Sequence, residues 1–154
     1  MKQALVATDI DQASPYVITA GDTGEAVRAS AAIPGIFIPV KITEHVLVDG
    51  GVASLVPVSA AQALGAQKII AVDIYCGSPR YSADSMPSMW LLVSQVQSCL
   101  LATSEKATAN IVITPSVIAP ELDDPKSRER ARESGYRSTL TALPLIQKML
   151  TQAN

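Results

Sequence analysis

Blocks of apolar residues separated by short polar or glycine-proline stretches divide this chain into alternating strand and helix patterns. Residues 4–9 are a short apolar run ending in Asp9, the pattern of a buried strand whose carboxyl end meets solvent, and residues 15–19 offer a second strand. Asp22, Thr23 and Glu25 supply capping oxygens and first-turn acid for a helix reaching Ala32, which Pro34 and Gly35 stop. Residues 36–40 and 46–48 flank a polar tip at 41–45, which predicts a hairpin.

Beyond position 50 the pattern becomes more regular. Pro57 opens a helix over 58–64, and Gly65 closes it where a left-handed residue is wanted. Residues 68–73 are the continuous apolar run expected of a strand buried on both faces of a parallel sheet. Strand, helix and strand with short links predict a right-handed crossover. Residues 78–87, rich in serine and proline, read as a loop. Met89, Trp90, Val93, Val96, Leu100 and Leu101 recur at spacings of three and four, so 88–106 is expected to be a helix with one apolar face. That face packs on the core or turns toward acyl chains or a membrane. Residues 110–115 make a last buried strand. Asp123 or Asp124, then Pro125, starts a final helix that passes Arg132 and Gly135, and Pro144 is expected to break or kink it.

With 154 residues, 48% hydrophobic and 17% charged, the chain has the balance of one domain with a substantial α/β interior. A formal charge of -2 gives no electrostatic reason to expect nucleic acid or an anionic membrane surface. Arg128, Arg130 and Arg132 alternate with Glu129 and Glu133, as on a solvated helix face. Cys76 and Cys99 lack metal-ligand spacing and sit amid apolar residues, so buried thiols in a reducing compartment are expected rather than a disulfide. There is no long apolar run, and the segment from Met1 does not read as a signal peptide, so the expected location is cytoplasmic.

The chemistry centres on Asp49, where an apolar strand ends on two glycines. Gly50 and Gly51 are expected to free the backbone for positive φ and to let another group approach the carboxylate. An ordinary Asp-Gly turn gives the same letters. The one histidine, His45, falls at the expected hairpin tip, facing water rather than orienting a serine, which sets a histidine triad aside.

Taken together, Arg28-Ala29-Ser30, Ala32-Ile33-Pro34-Gly35, Phe37, Pro39 and Leu47-Val48-Asp49-Gly50-Gly51 resemble the patatin-like phospholipases, a family of α/β acyl hydrolases. Pro115 after the last strand and Gly135-Tyr136 in the final helix fit the same family. The resemblance implies a three-layer α/β/α fold with a mostly parallel sheet, here incomplete, and a serine-aspartate dyad in which Asp49 is the catalytic aspartate and Gly50 and Gly51 support the motif. It implies no cofactor and no metal. Arg28 and Ser30 match family positions, although local pairing or capping would account for both. No Gly-x-Ser-x-Gly elbow or glycine-rich oxyanion loop occurs in these residues. Residues 1–154 therefore correspond to the carboxyl-terminal half of a single patatin-like domain. The expected partners are a lipid or acyl ester, a transient membrane surface, and either a second copy or a protein supplying the missing half, with no nucleic acid.

Two other readings stand beside this one. A half domain without a nucleophile is a non-catalytic fragment or an interaction module. Alternatively, Asp9, Asp11, Asp49 and Asp73, all at strand ends, gather around magnesium for phosphoryl transfer.

Overall fold

The computed structural model describes residues 3–81, 83–117 and 124–152. The strand β1 (Leu5–Asp9) pairs antiparallel with β2 (Ser14–Ile18) and, on its other side, with β4 (His45–Asp49), which pairs antiparallel with β3 (Val40–Ile42). The sheet order is thus β2-β1-β4-β3. Both hairpins turn tightly through a residue with positive φ, Ala13 and Thr43, and such short links join only antiparallel neighbours. One helix, α1 (Thr23–Ser30), lies on this sheet. Asp22 caps it, with Oδ1 accepting from the Glu25 N–H at 2.7 Å. Its alanines Ala26 and Ala29, with Ala32 beyond the cap, let it approach Ala7, Val40 and Leu47 closely, and together with Ile18 these residues form the first core.

The second half is assembled differently. A 3-10 turn, Gly50–Val52, leads to α2 (Val58–Ala63), closed by Gly65 at φ +91° as its position requires. The strand β5 (Ile70–Val72) pairs in parallel with β6 (Ile111–Ile113), and the two are linked through α3 (Met86–Lys106). Ser85 and Ser88 form a reciprocal capping box at the start of α3. Here the core is a small cluster of Val56, Val58, Ala71 and Ala102. The last helix, α4 (Pro125–Thr151), is capped by Asp124, while Asp123 lies outside the described residues. It is tied on by polar contacts: Lys68 Nζ donates to the Met149 carbonyl at 2.6 Å, and Ser134 Oγ to that of Ser116 at 2.7 Å.

The mixed α/β class and the incomplete sheet agree with expectation. The mostly parallel sheet does not extend beyond β5 and β6, because hairpin links dictate antiparallel pairing in the other four strands. Nor do β4, α2 and β5 make a crossover within one sheet, since β5 pairs with β6 instead. Ala71 is buried, but Ile70 and Val72 turn an exposed face outward, so β5 is not covered on both sides. Residues 36–40 do not run as one strand. Pro34 and Pro39 lack donors, Gly35 takes φ +81°, and the Ile36 and Phe37 N–H groups bond back to the Ile33 carbonyl in a turn. Pro144 does not end α4, which runs through both it and Gly135. No residue described in α4 is buried, so water can satisfy the carbonyl that the proline leaves without a donor.

Cys76 and Cys99 form a disulfide, with Cα atoms 5.5 Å apart, so the expectation of two buried thiols is corrected. The loop after β5 folds back onto α3 and brings together two cysteines that sequence separates by 23 positions. Such bridges persist in oxidising surroundings, which removes the cysteine argument for a reducing compartment. Among the described residues no helix is long and apolar enough to cross a membrane.

Candidate active site

Asp49 ends β4 opposite Ala7 of β1. Its backbone is held on both sides: its N–H donates to the Ala32 carbonyl at 3.0 Å, and its carbonyl accepts from Thr8 Oγ1 at 2.9 Å. The same Thr8 oxygen accepts the Ala53 N–H at 3.1 Å and so ties down the far side of the turn. The side chain is fixed by one bond, from the Gly51 N–H to Oδ1 at 2.7 Å. Among the described residues nothing hydrogen-bonds to Oδ2. Burial pushes the carboxyl above its ordinary value, and the Gly51 N–H offsets only part of that rise.

Gly50 and Gly51 are needed for space rather than for φ. The glycines at positive φ are Gly21, Gly35 and Gly65. A Cβ on Gly50 would lie 2.2 Å from the Val6 carbonyl oxygen, and one on Gly51 would lie 2.9 Å from Asp49 Oδ1. The first glycine lets the turn lie against β1. The second keeps room for the carboxylate it binds.

Asp49 opens onto a cleft of ≈ 560 Å³ with mainly apolar walls. The loop between α1 and β3 contributes Ile33 and Phe37, the turn after Asp49 contributes Val52 and Leu55, and α3 contributes Trp90 and Leu91. Trp90 Nε1 donates to the Pro34 carbonyl at 3.4 Å and bridges the first and last of these walls. The three-and-four pattern of α3 is thus not a core stripe. Trp90 is 54% exposed and Leu100 70%, whereas Gln95, Ser98 and Ala102 are the buried residues of that helix. Tyr75 and Tyr81, which the sequence analysis did not single out, line the same cleft.

The other strand-end carboxylates are already occupied. Asp9 Oδ1 accepts the N–H groups of Asp11 and Gln12, and Oδ2 sits 2.5 Å from His45 Nδ1. The His45 bond is the largest influence holding the Asp9 carboxyl below its ordinary value; burial opposes it and the two N–H groups assist. His45 is therefore not a water-facing hairpin tip: it begins β4, pairs with Asp9 and stacks against Tyr16 at a centroid distance of 4.2 Å. Asp73 Oδ1 caps Tyr75 and Cys76, and its Oδ2 is ion-paired with Lys106. Burial raises the Asp73 carboxyl, but these three donors outweigh burial and bring it below the ordinary value. Among the described residues no group of three histidine, cysteine or acidic side chains could hold a metal ion, so the magnesium reading lacks its ligand cluster.

Arg28 pairs with Glu25 on the surface at 3.6 Å. Ser30 Oγ donates to the Val6 carbonyl at 2.8 Å, tying the end of α1 to β1. Glu105 on α3 accepts from Ser54 Oγ at 2.7 Å and also takes the N–H and hydroxyl of Ser59. One carboxylate therefore anchors the segment after the turn to α3. Serine hydroxyls and a lone glutamate give no sequence signal for such a contact.

Residues 3–62, which hold β1 to β4 and the Asp49 turn, match the sequence model of the patatin-like phospholipase family. Over that stretch the chain is similar to that family. The chain is also 31% identical over 91 residues to lysophospholipase NTE1 of Mycosarcoma maydis, a match covering 57% of this chain and 5% of that protein. Against an uncharacterized NTE family protein of Mycobacterium bovis it is 30% identical over 89 residues, covering 56% of this chain and 25% of the other. Lysophospholipase nte1 of Aspergillus oryzae is similar at 30% over 91 residues, 57% of this chain and 6% of the relative. The match to each relative therefore spans a quarter of that protein or less. The family model and the two fungal relatives, named as lysophospholipases, describe lipid hydrolases at the level of the family.

Proposed function

We propose that residues 1–154 are the carboxyl-terminal half of one patatin-like domain and supply the aspartate of a serine-aspartate hydrolase acting on lipid acyl esters. The observation that carries this reading is the state of Asp49. It is held rigidly by Gly51, raised in pKa by burial, and left with one oxygen unbonded among the described residues at the edge of an apolar cleft. A carboxylate whose pKa is raised by burial is a better proton acceptor than an ordinary aspartate. Asp49 accepts the proton of a serine supplied from outside these residues as the serine oxygen attacks the ester carbonyl. Asp49 returns that proton to the departing alcohol, and water then cleaves the acyl-serine, its proton passing through Asp49 to the released serine oxygen. The cleft walls hold the hydrocarbon part of the substrate. Exposed Ile70 and Val72, which share one face of β5, offer a surface on which the remaining part of the domain packs.

The test is intact mass after treatment with a fluorophosphonate, which marks an activated serine. The chain of 16.2 kDa is expected to stay unmodified on its own. Joined to the serine-bearing segment it should take one adduct, and Asp49→Asn should abolish that adduct. An adduct on the 16.2 kDa chain alone would overturn the assignment, because the nucleophile would then be one of its own serines. The complementary outcome, a joined protein that takes no adduct at all, would favour a non-catalytic interaction module.

A further inference from the structure

Tyr75 is held in place more completely than a loop residue facing solvent would need. Its N–H donates to Asp73 Oδ1 at 3.0 Å, and its carbonyl accepts from Gln95 Nε2 at 3.2 Å and from the Ser78 N–H at 3.3 Å. The next residue, Cys76, is bonded to Cys99 of α3. Asp73 is itself fixed by Lys106. Gln95, only 4% exposed, also accepts the Tyr81 N–H at 3.4 Å, so one buried amide sets the backbone of both tyrosines that line the cleft. Their rings lie 6.5 Å apart. Two hydroxyls on fixed backbones, in a mainly apolar cavity whose other polar side chains are Asp49, Ser94, Gln97 and Ser98, are the pattern of a site that orients one polar group of an apolar ligand.

We propose that Tyr75 is a substrate-binding residue whose hydroxyl donates a hydrogen bond to the ester group of a lipid seated in the cleft beside Asp49. The inference rests on the reading of that cleft as an acyl-ester site. The tyrosine hydroxyl is pushed up to about 12, first by burial, then by the charge of Tyr81, a side-chain hydrogen bond with Tyr81 and the charge of Asp49, so at neutral pH it keeps its proton, which a bound ester oxygen would accept in place of Tyr81. Ionised Asp49 accepts hydrogen bonds but cannot donate one to an ester carbonyl. The two residues would divide the work, Tyr75 gripping the ester and Asp49 taking the proton.

Trp90 is the one tryptophan in the chain and lines the cleft, so its fluorescence reports occupancy without any turnover. The test titrates the chain with a short-chain lysophosphatidylcholine below its micellar concentration, and separately with the ether analogue of the same length, which lacks the ester carbonyl. Wild type should bind the ester more tightly. Tyr75→Phe should weaken ester binding by about five- to tenfold and leave ether binding unchanged, the loss expected for one neutral hydrogen bond. Equal weakening of both ligands would mean a packing role, and no weakening of either would mean that the hydroxyl touches nothing; each result overturns the assignment of Tyr75 while leaving the cleft as a lipid site. If neither ligand changes the emission of wild type, the acyl-ester reading of the cleft falls and Tyr75 falls with it.

Discussion

The ends of β4 and β5 begin from the same short pattern, an apolar strand closing on an aspartate whose Oδ1 caps the turn that follows, yet they finish in opposite states. Asp73 collects two N–H donors and a lysine, is almost wholly buried, and is drawn below its ordinary pKa. Asp49, among the described residues, collects one N–H donor, faces a cleft, and is driven above it. The difference lies in how many donors the surrounding chain brings to each carboxylate. A saturated aspartate is a structural pin, and one left short of donors is poised to take a proton.

Neutralising each of the two aspartates in turn should produce the largest effects. In the protein joined to its serine-bearing segment, Asp49→Asn should lower ester hydrolysis by about 10²- to 10⁴-fold, the usual contribution of a positioned general base, with little change in melting temperature. Asp73→Asn should do the reverse. It leaves Lys106 without its partner and weakens the cap on Tyr75, and a loss of about 3 kcal/mol is expected in urea denaturation. Gly50→Ala should cost about as much, roughly 3 kcal/mol, because its Cβ would meet backbone rather than a movable side chain. Reducing the Cys76–Cys99 bridge should cost about 3 kcal/mol, measured as the shift in unfolding midpoint with and without reductant.

The smallest effect is in acid, and it separates the two carboxylates by sign. The Asp73 pKa is depressed in the fold, so its contribution is complete above the ordinary 3.8 and is lost as pH falls through the lower folded value. The Asp49 pKa is raised, so the folded chain binds its proton more tightly than the unfolded chain does, and the ionised form costs stability above 3.8. As pH rises through 3.8 and then through the higher folded value, Asp49→Asn should therefore gain stability relative to wild type. A constant difference across that window would mean that Asp49 is not raised.

Much of the first half was legible because its signals are local. Asp22 caps α1, Pro34 and Gly35 end that segment, and the strands at β1, β2 and β4 follow their apolar runs. The second half was harder to read because its organisation depends on distant pairs. Nothing in the letters says that β5 will choose β6 over β4, or that Cys76 will reach Cys99. His45 illustrates the same point within the first half. Its position beside a turn was correct in outline, but its partner Asp9 lies 36 residues earlier. For the site, Asp49 stood out through its two glycines. Tyr75 and Gln95 did not, since an isolated tyrosine in a loop and a glutamine in a helix carry no spacing that marks them.

The Val6 carbonyl accepts the Ser30 hydroxyl and stands in the space that any side chain at position 50 would fill. For protein engineering this fixes the size of the portable part. Asp49-Gly50-Gly51 moved alone into another scaffold would keep its letters but lose the strand against which the turn is moulded. The module to transplant is β1, the end of α1 and the turn after β4, carried together.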